Sequence, residues 1–209
     1  MTNILILRSS VLGEASASNH VIDETLADLE HAGEAVQIVE RDLAAKPLPH
    51  FDADAFRALR AGVELTAEQQ KARALSDTLI AEIKAADIIL IGAPMYNFGI
   101  ASQLKSWFDF ALRPGVTFRY TEAGPEGLVN GKRAIVVVTR GGLYSEGPAA
   151  VMDSQEPHLR TMLGFMGISE VSFVRAEKLG FGPEAREAAL AGARGELTAH
   201  VRPVLAKAA

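Results

Sequence analysis

The 209-residue chain is predicted to fold as an α/β protein around a doubly wound five-stranded parallel sheet, order 2-1-3-4-5, with helices on both faces. Three features predict it: aliphatic runs of strand length, amphipathic helical patterns alternating with them, and unusual loops after the first, third and fourth runs.

Strands are expected over Asn3–Leu7, Ala35–Glu40, Asp87–Ile91, Arg133–Thr139 and Glu170–Arg175. The first, third and fourth are nearly continuous Ile, Leu and Val, the pattern of parallel strands covered on both faces. Helices are expected between them. Val21, Ile22, Leu26 and Leu29 form one stripe after Ser18, and Thr66 with Gln69 forms a capping box ahead of Leu75, Leu79, Ile80 and Ile83. After Gly99, the residues Ile100, Leu104, Trp107, Phe108 and Ala111 recur at helical spacing. A fourth helix is expected over Pro157–Met166. A fifth starts near Pro183, with Pro203 fraying its end. Two stretches, Arg41–Leu65 and Arg113–Lys132, are long for connections and read as lids, dimer contacts or short extra structure. No repeat, low-complexity tract or linker divides the chain, so residues 1–209 are expected to form a single domain.

Composition narrows the function. A net charge of −5 without a basic block argues against nucleic acid or an anionic membrane as partner. The apolar run Ile4–Leu7 is too short for a membrane span or a signal peptide, so a cytoplasmic protein is expected. The chain has no cysteine, which excludes thiolate catalysis and zinc–sulfur sites. His20, His31, His50, His158 and His200 show no ligand spacing, and no metal is expected.

The three loops fall where a doubly wound sheet binds ligands, at the carboxyl ends of strands beside the reversal of winding. The first, "RSSVLGEASAS", sets Ser9, Ser10, Ser16 and Ser18 around a helix start. Ordinary capping explains one serine. Together the hydroxyls and the unpaired amides suit a phosphate. The second, "PMYNFG", places Tyr96, Asn97 and Phe98 on the lip of the sheet. They read either as core aromatics or as the walls of a planar heterocycle whose rim Asn97 bonds. The third, "TRGGLYSEG", carries Gly141 and Gly142, which permit positive φ and close approach of a ligand. Their joint occurrence favours a flavin mononucleotide site.

With these residues in view, the chain resembles the FMN-dependent NADH azoreductases, also described as quinone reductases, of flavodoxin-like fold. The likeness rests on "PMYNF" at 94–98, "GVTFRYTEAGPEGLVNGK" at 115–132, "TRGG" at 139–142, "LGFMGI" at 163–168 and "RDLAAKPLP" at 41–49. It implies bound FMN with NADH as electron donor. Ser10 and the turn Ser16, Ala17 and Ser18 would hold the phosphate, with Ala17 offering only its amide. Met95, Tyr96, Asn97 and Phe98 would border the ring system, and Thr139, Arg140, Gly141 and Gly142 its pyrimidine side. It further implies a homodimer in which Phe118 and Tyr120 help shape the substrate pocket. The implied reaction alternates: NADH delivers hydride, then a quinone or azo compound takes the electrons in the same slot. No side chain is nominated as catalytic, because the chemistry belongs to the cofactor.

A flavodoxin-type electron carrier is the alternative, but such carriers are shorter and more acidic. A hydrolase lacks its "GxSxG" elbow here. "GLVNGKR" at 127–133 only hints at a P-loop, since it is one residue short and precedes a strand.

Overall fold

A computed structural model describes residues 1–60, 62 and 64–208. Strands β1 (Thr2–Arg8), β2 (Val36–Asp42) and β3 (Ile88–Pro94) share one sheet with β6 (Arg133–Thr139) and β7 (Glu170–Ala176). All neighbours are parallel, in the order β2-β1-β3-β6-β7, the expected 2-1-3-4-5 arrangement. A separate hairpin pairs β4 (Phe118–Thr121) with β5 (Gly124–Gly127).

Side chains alternate across the sheet with period two, so each strand feeds two cores. On one face Leu5, Leu7, Ile89, Ile91, Val136 and Val138 pack against α3 (Ala67–Ala85), α4 (Ser102–Ala111) and α5 (Gln155–Met166). On the other Ile4, Ile6, Ile88, Leu90, Ile135 and Val137 meet α1 (Ala17–His31) and α6 (Pro183–Ala208). Trp107 is fully buried in the first core.

The capping box of α3 forms as expected, with the Thr66 hydroxyl accepting from the Gln69 amide and the Gln69 side chain from the Thr66 amide. One expectation changes. Pro203 lies inside α6, which continues to Ala208. Burial of Leu197, Val201 and Leu205 against the sheet outweighs the lost backbone bond. The long connections also contain structure: α2 (Ala53–Ala58), capped by Asp52, and the β4–β5 hairpin. The hairpin docks on the end of α5 through close backbone contact as well as through the rings of Phe118, Tyr120 and Phe165. A Cβ on Gly127 would lie 2.2 Å from the Gly167 nitrogen, and Val129 donates to the Met166 carbonyl at 2.9 Å.

Candidate functional site

The loops after β1, β3 and β6 converge. Ser16 caps α1, its hydroxyl accepting from the Asn19 amide at 3.2 Å and lying 3.2 Å from the Ser18 hydroxyl. Both serines are buried. The amides of Ala17 and Ser18 precede any intrahelical acceptor, as at every helix start, and have no acceptor among the described residues. Two clustered hydroxyls over two unpaired amides at the positive end of a helix are chemistry that suits a small anion. Nearby, Ser9 donates to the Gly92 carbonyl at 2.7 Å, which fixes the loop's departure from β1.

Ser10 is held across the crevice. Its hydroxyl lies 3.3 Å from that of Tyr96, which also accepts the Val11 amide at 3.1 Å. Residues 96–99 close a tight turn in which Tyr96 and Gly99 exchange backbone bonds of 3.0 and 3.1 Å. The central residues, Asn97 and Phe98, take φ of 48° and 70°. Positive φ at both centres is the mirror-image turn that glycine usually serves; an aromatic there carries strain. The glycine of the turn, Gly99, lies outside the positive-φ set. Phe98 remains 40% exposed, and Asn97 is exposed beside it. The strain therefore presents an amide and a ring to the crevice rim.

The third loop joins the second where Met95 donates to the Thr139 carbonyl at 2.9 Å. The Gly141 and Gly142 carbonyls accept from Gly180 and Lys178, both at 2.9 Å, while their own amides have no acceptor among the described residues. Neither glycine adopts the positive φ expected of it. Gly142 instead allows close approach of a ring: a Cβ there would sit 3.0 Å from Tyr144, which would have to shift. That ring stands edge-on to Phe98 at 6.0 Å, so two aromatics meet at the rim.

Arg140 is placed inward. Its side chain is fully buried, donating to Gln155 at 3.0 Å, Glu177 at 3.0 Å and Asp153 at 2.9 Å, with Glu156 at 3.2 Å. Its amide and carbonyl are also taken, by Ala176 and Leu179. It therefore braces the site from beneath. Gln155 passes the brace to β3 by donating to the Ala93 carbonyl at 2.8 Å. Glu177 went unnoticed in the sequence. It accepts from the Tyr144 amide at 2.8 Å, the Ser145 amide at 3.0 Å and the Ser145 hydroxyl. Burial raises its carboxyl pKa, but the bonds from Ser145, Tyr144 and Arg140 outweigh that and hold it below the usual range.

Phe118 and Tyr120 lie elsewhere. They cluster with Phe165 near the end of α5, at 4.5 and 6.4 Å between centroids. α5 starts beside the crevice and runs 12 residues away from it, about 18 Å. With Phe51, Phe56, Leu59 and Leu112 they line a largely apolar cavity of about 320 Å³ that Arg60 and Asp109 also border. Within one chain these two residues do not join the three loops.

The residues present fit FMN. Ser10, Ser16 and Ser18 with the helix amides suit its phosphate, the exposed Asn97–Phe98 lip suits a planar ring, and the unpaired Gly141 and Gly142 amides suit a pyrimidine oxygen. Among the described residues, no cluster of three or more acidic or histidine side chains could hold a metal ion, and no helix is long and apolar enough to cross a membrane.

Comparison with known proteins agrees. A family model described as flavodoxin-like fold matches residues 2–201. An FMN-dependent NADH:quinone oxidoreductase from Hyphomonas neptunium is 53% identical over 197 residues, 94% of each chain. One from Vibrio vulnificus is 51% identical over 199 residues, covering 95% of this chain and 98% of the relative. A crystal structure of an FMN-dependent NADH-azoreductase from Bacillus anthracis, in complex with FMN, superposes with a TM-score of 0.85 at 26% identity, over 96% of this chain and 99% of that one. Sheet order, site geometry and these likenesses agree: the chain belongs to the flavodoxin-like family that includes the FMN-dependent NADH:quinone oxidoreductases.

Proposed function

We propose that this protein is an FMN-dependent NADH:quinone oxidoreductase that also cleaves azo bonds. One observation carries the reading. Ser10 meets Tyr96 and Met95 meets Thr139, so an anion site, an aromatic lip and a diglycine turn share one crevice, in a chain about half identical to relatives named for that activity.

FMN supplies the redox chemistry when bound, taking up hydride and releasing two electrons to an acceptor. The chain's own residues bind and orient. Ser10, Ser16, Ser18 and the amides of Ala17 and Ser18 hold the phosphate without any lysine. Met95, Tyr96, Asn97 and Phe98 would border the ring, with the positive-φ turn at Asn97 and Phe98 turning their side chains to the rim. Thr139, Gly141 and Gly142 face the pyrimidine side, where backbone amides favour the negative charge of the reduced cofactor. Arg140 contributes the brace. No side chain need move a proton. An azo bond takes four electrons and four hydrogens to yield two amines, hence two NADH and two protons per bond.

Phe118 and Tyr120 reach a substrate only from a second copy, because their own crevice lies at the far end of α5. A homodimer with each cavity facing the partner's crevice is therefore part of the proposal. So are a single FMN-binding domain and a cytoplasmic location.

The test is NADH oxidation by purified, flavin-loaded protein with menadione or methyl red and no added reductase. Turnover with both is expected, at two NADH per azo bond. An electron carrier would show none.

A further inference from the structure

We propose that Glu177 is a positioning residue for the flavin site: its carboxylate, seated on buried Arg140, holds the turn from Gly141 to Ser145 in the shape that receives the cofactor. The inference rests on the flavin reading above. Two adjacent glycines leave a turn with many conformations, so a rigid wall there must be held from outside. Glu177 does this with both oxygens. One accepts the consecutive amides of Tyr144 and Ser145 at 2.8 and 3.0 Å, and the other takes the Ser145 hydroxyl. Behind it, Arg140 donates to Glu177 at 3.0 Å, and Gln155 links the same arginine to the Ala93 carbonyl on β3. The residues after Glu177 complete the clamp. Lys178 and Gly180 donate to the Gly142 and Gly141 carbonyls, while the amides of Gly141, Gly142 and Leu143 have no acceptor among the described residues. The fixed backbone also sets the Tyr144 ring, which lies beneath Gly142 and edge-on to Phe98. All of the hydrogen bonds that Glu177 accepts come from Arg140 or from this turn.

The experiment titrates apoprotein with FMN, following quenching of flavin fluorescence and visible circular dichroism, at a temperature where every variant is folded. Glu177→Gln keeps an acceptor for the amides but loses the charge seated on Arg140; FMN binding is expected to weaken about tenfold. Glu177→Ala loses every bond and is expected to weaken binding further, with an altered dichroism of the bound flavin. Arg194→Ala, which breaks a surface pair with Asp28 between α1 and α6, is expected to leave binding unchanged even where it lowers the melting temperature. Should Glu177→Ala fail to fold, Glu177→Gln and Ser145→Ala decide, the latter expected to cost about threefold. A folded Glu177→Gln that binds FMN within about twofold of wild type and with the same dichroism overturns the proposal. Wild-type protein that binds no FMN overturns the flavin reading itself, and this inference with it.

Discussion

The hydroxyl of Tyr96 lies 3.3 Å from that of Ser10, joining the loop after β3 to the loop after β1 at the end of the sheet where the winding reverses. This contact brings the serine turn and the aromatic lip together at one crevice. Tyr96→Phe removes it together with the bond from the Val11 amide. That amide is solvent-exposed, so the fold should hardly change. FMN affinity should fall about fivefold, the worth of roughly 1 kcal/mol. Titration of the apoprotein measures this, and an unchanged affinity would detach Tyr96 from the site.

Asn97 separates strain from recognition. At φ 48° a glycine is as comfortable as any residue, so Asn97→Gly should leave the melting temperature unchanged or raise it. Flavin affinity or turnover should nevertheless drop severalfold, because the exposed amide is lost. A variant equally active and equally stable would make Asn97 a turn residue only.

Arg140 is buried among Asp153, Glu156 and Glu177. Removing the one cation leaves these carboxylates short of a partner, although Arg175 still pairs with Glu156. Arg140→Ala should destabilise the protein by about 3–5 kcal/mol in urea denaturation, the usual result of breaking a buried ion pair from one side. A loss below about 1 kcal/mol, the scale of a surface pair, would contradict the bracing role.

His158 gives the pH dependence. Burial and then the charge of Lys105 push its pKa below the ordinary value, with Asp109 opposing. The unfolded chain therefore binds a proton that the folded chain refuses. Stability from this group is complete above the ordinary value of about 6.5 and declines as pH falls through the lower folded value. His158→Gln should flatten that part of the melting-temperature profile below about pH 6.5. The same slope in wild type and variant would refute the assignment.

Much of this was legible in the sequence because the signals were local and repetitive. The runs at Ile4–Leu7, Ile88–Ile91 and Ile135–Val138 had to be two-sided strands, and Thr66 with Gln69 marked a helix start without any tertiary information. The hairpin was not legible: β5 reads Gly-Pro-Glu-Gly, the opposite of a strand former, and what holds it is non-local, the backbone approach of Gly127 to Gly167 and the packing of Phe118 on Phe165. Pro203 misled because local preference said stop, while Val201 and Leu205 had a core to fill. In the site, residue types were readable but directions were not. Arg140 sits in the motif yet points inward, Asn97 and Phe98 take the left-handed turn expected of a glycine, and Glu177 is a lone carboxylate with no spacing to mark it.

Anaerobic mixing of the flavin-loaded protein with NADH in a stopped-flow absorbance instrument tests the central claim most directly. One flavin per chain should bleach on addition of NADH and recover its yellow band when menadione follows. A purified, folded protein that retains no flavin after FMN is supplied, or whose flavin stays oxidised in excess NADH, would contradict the account.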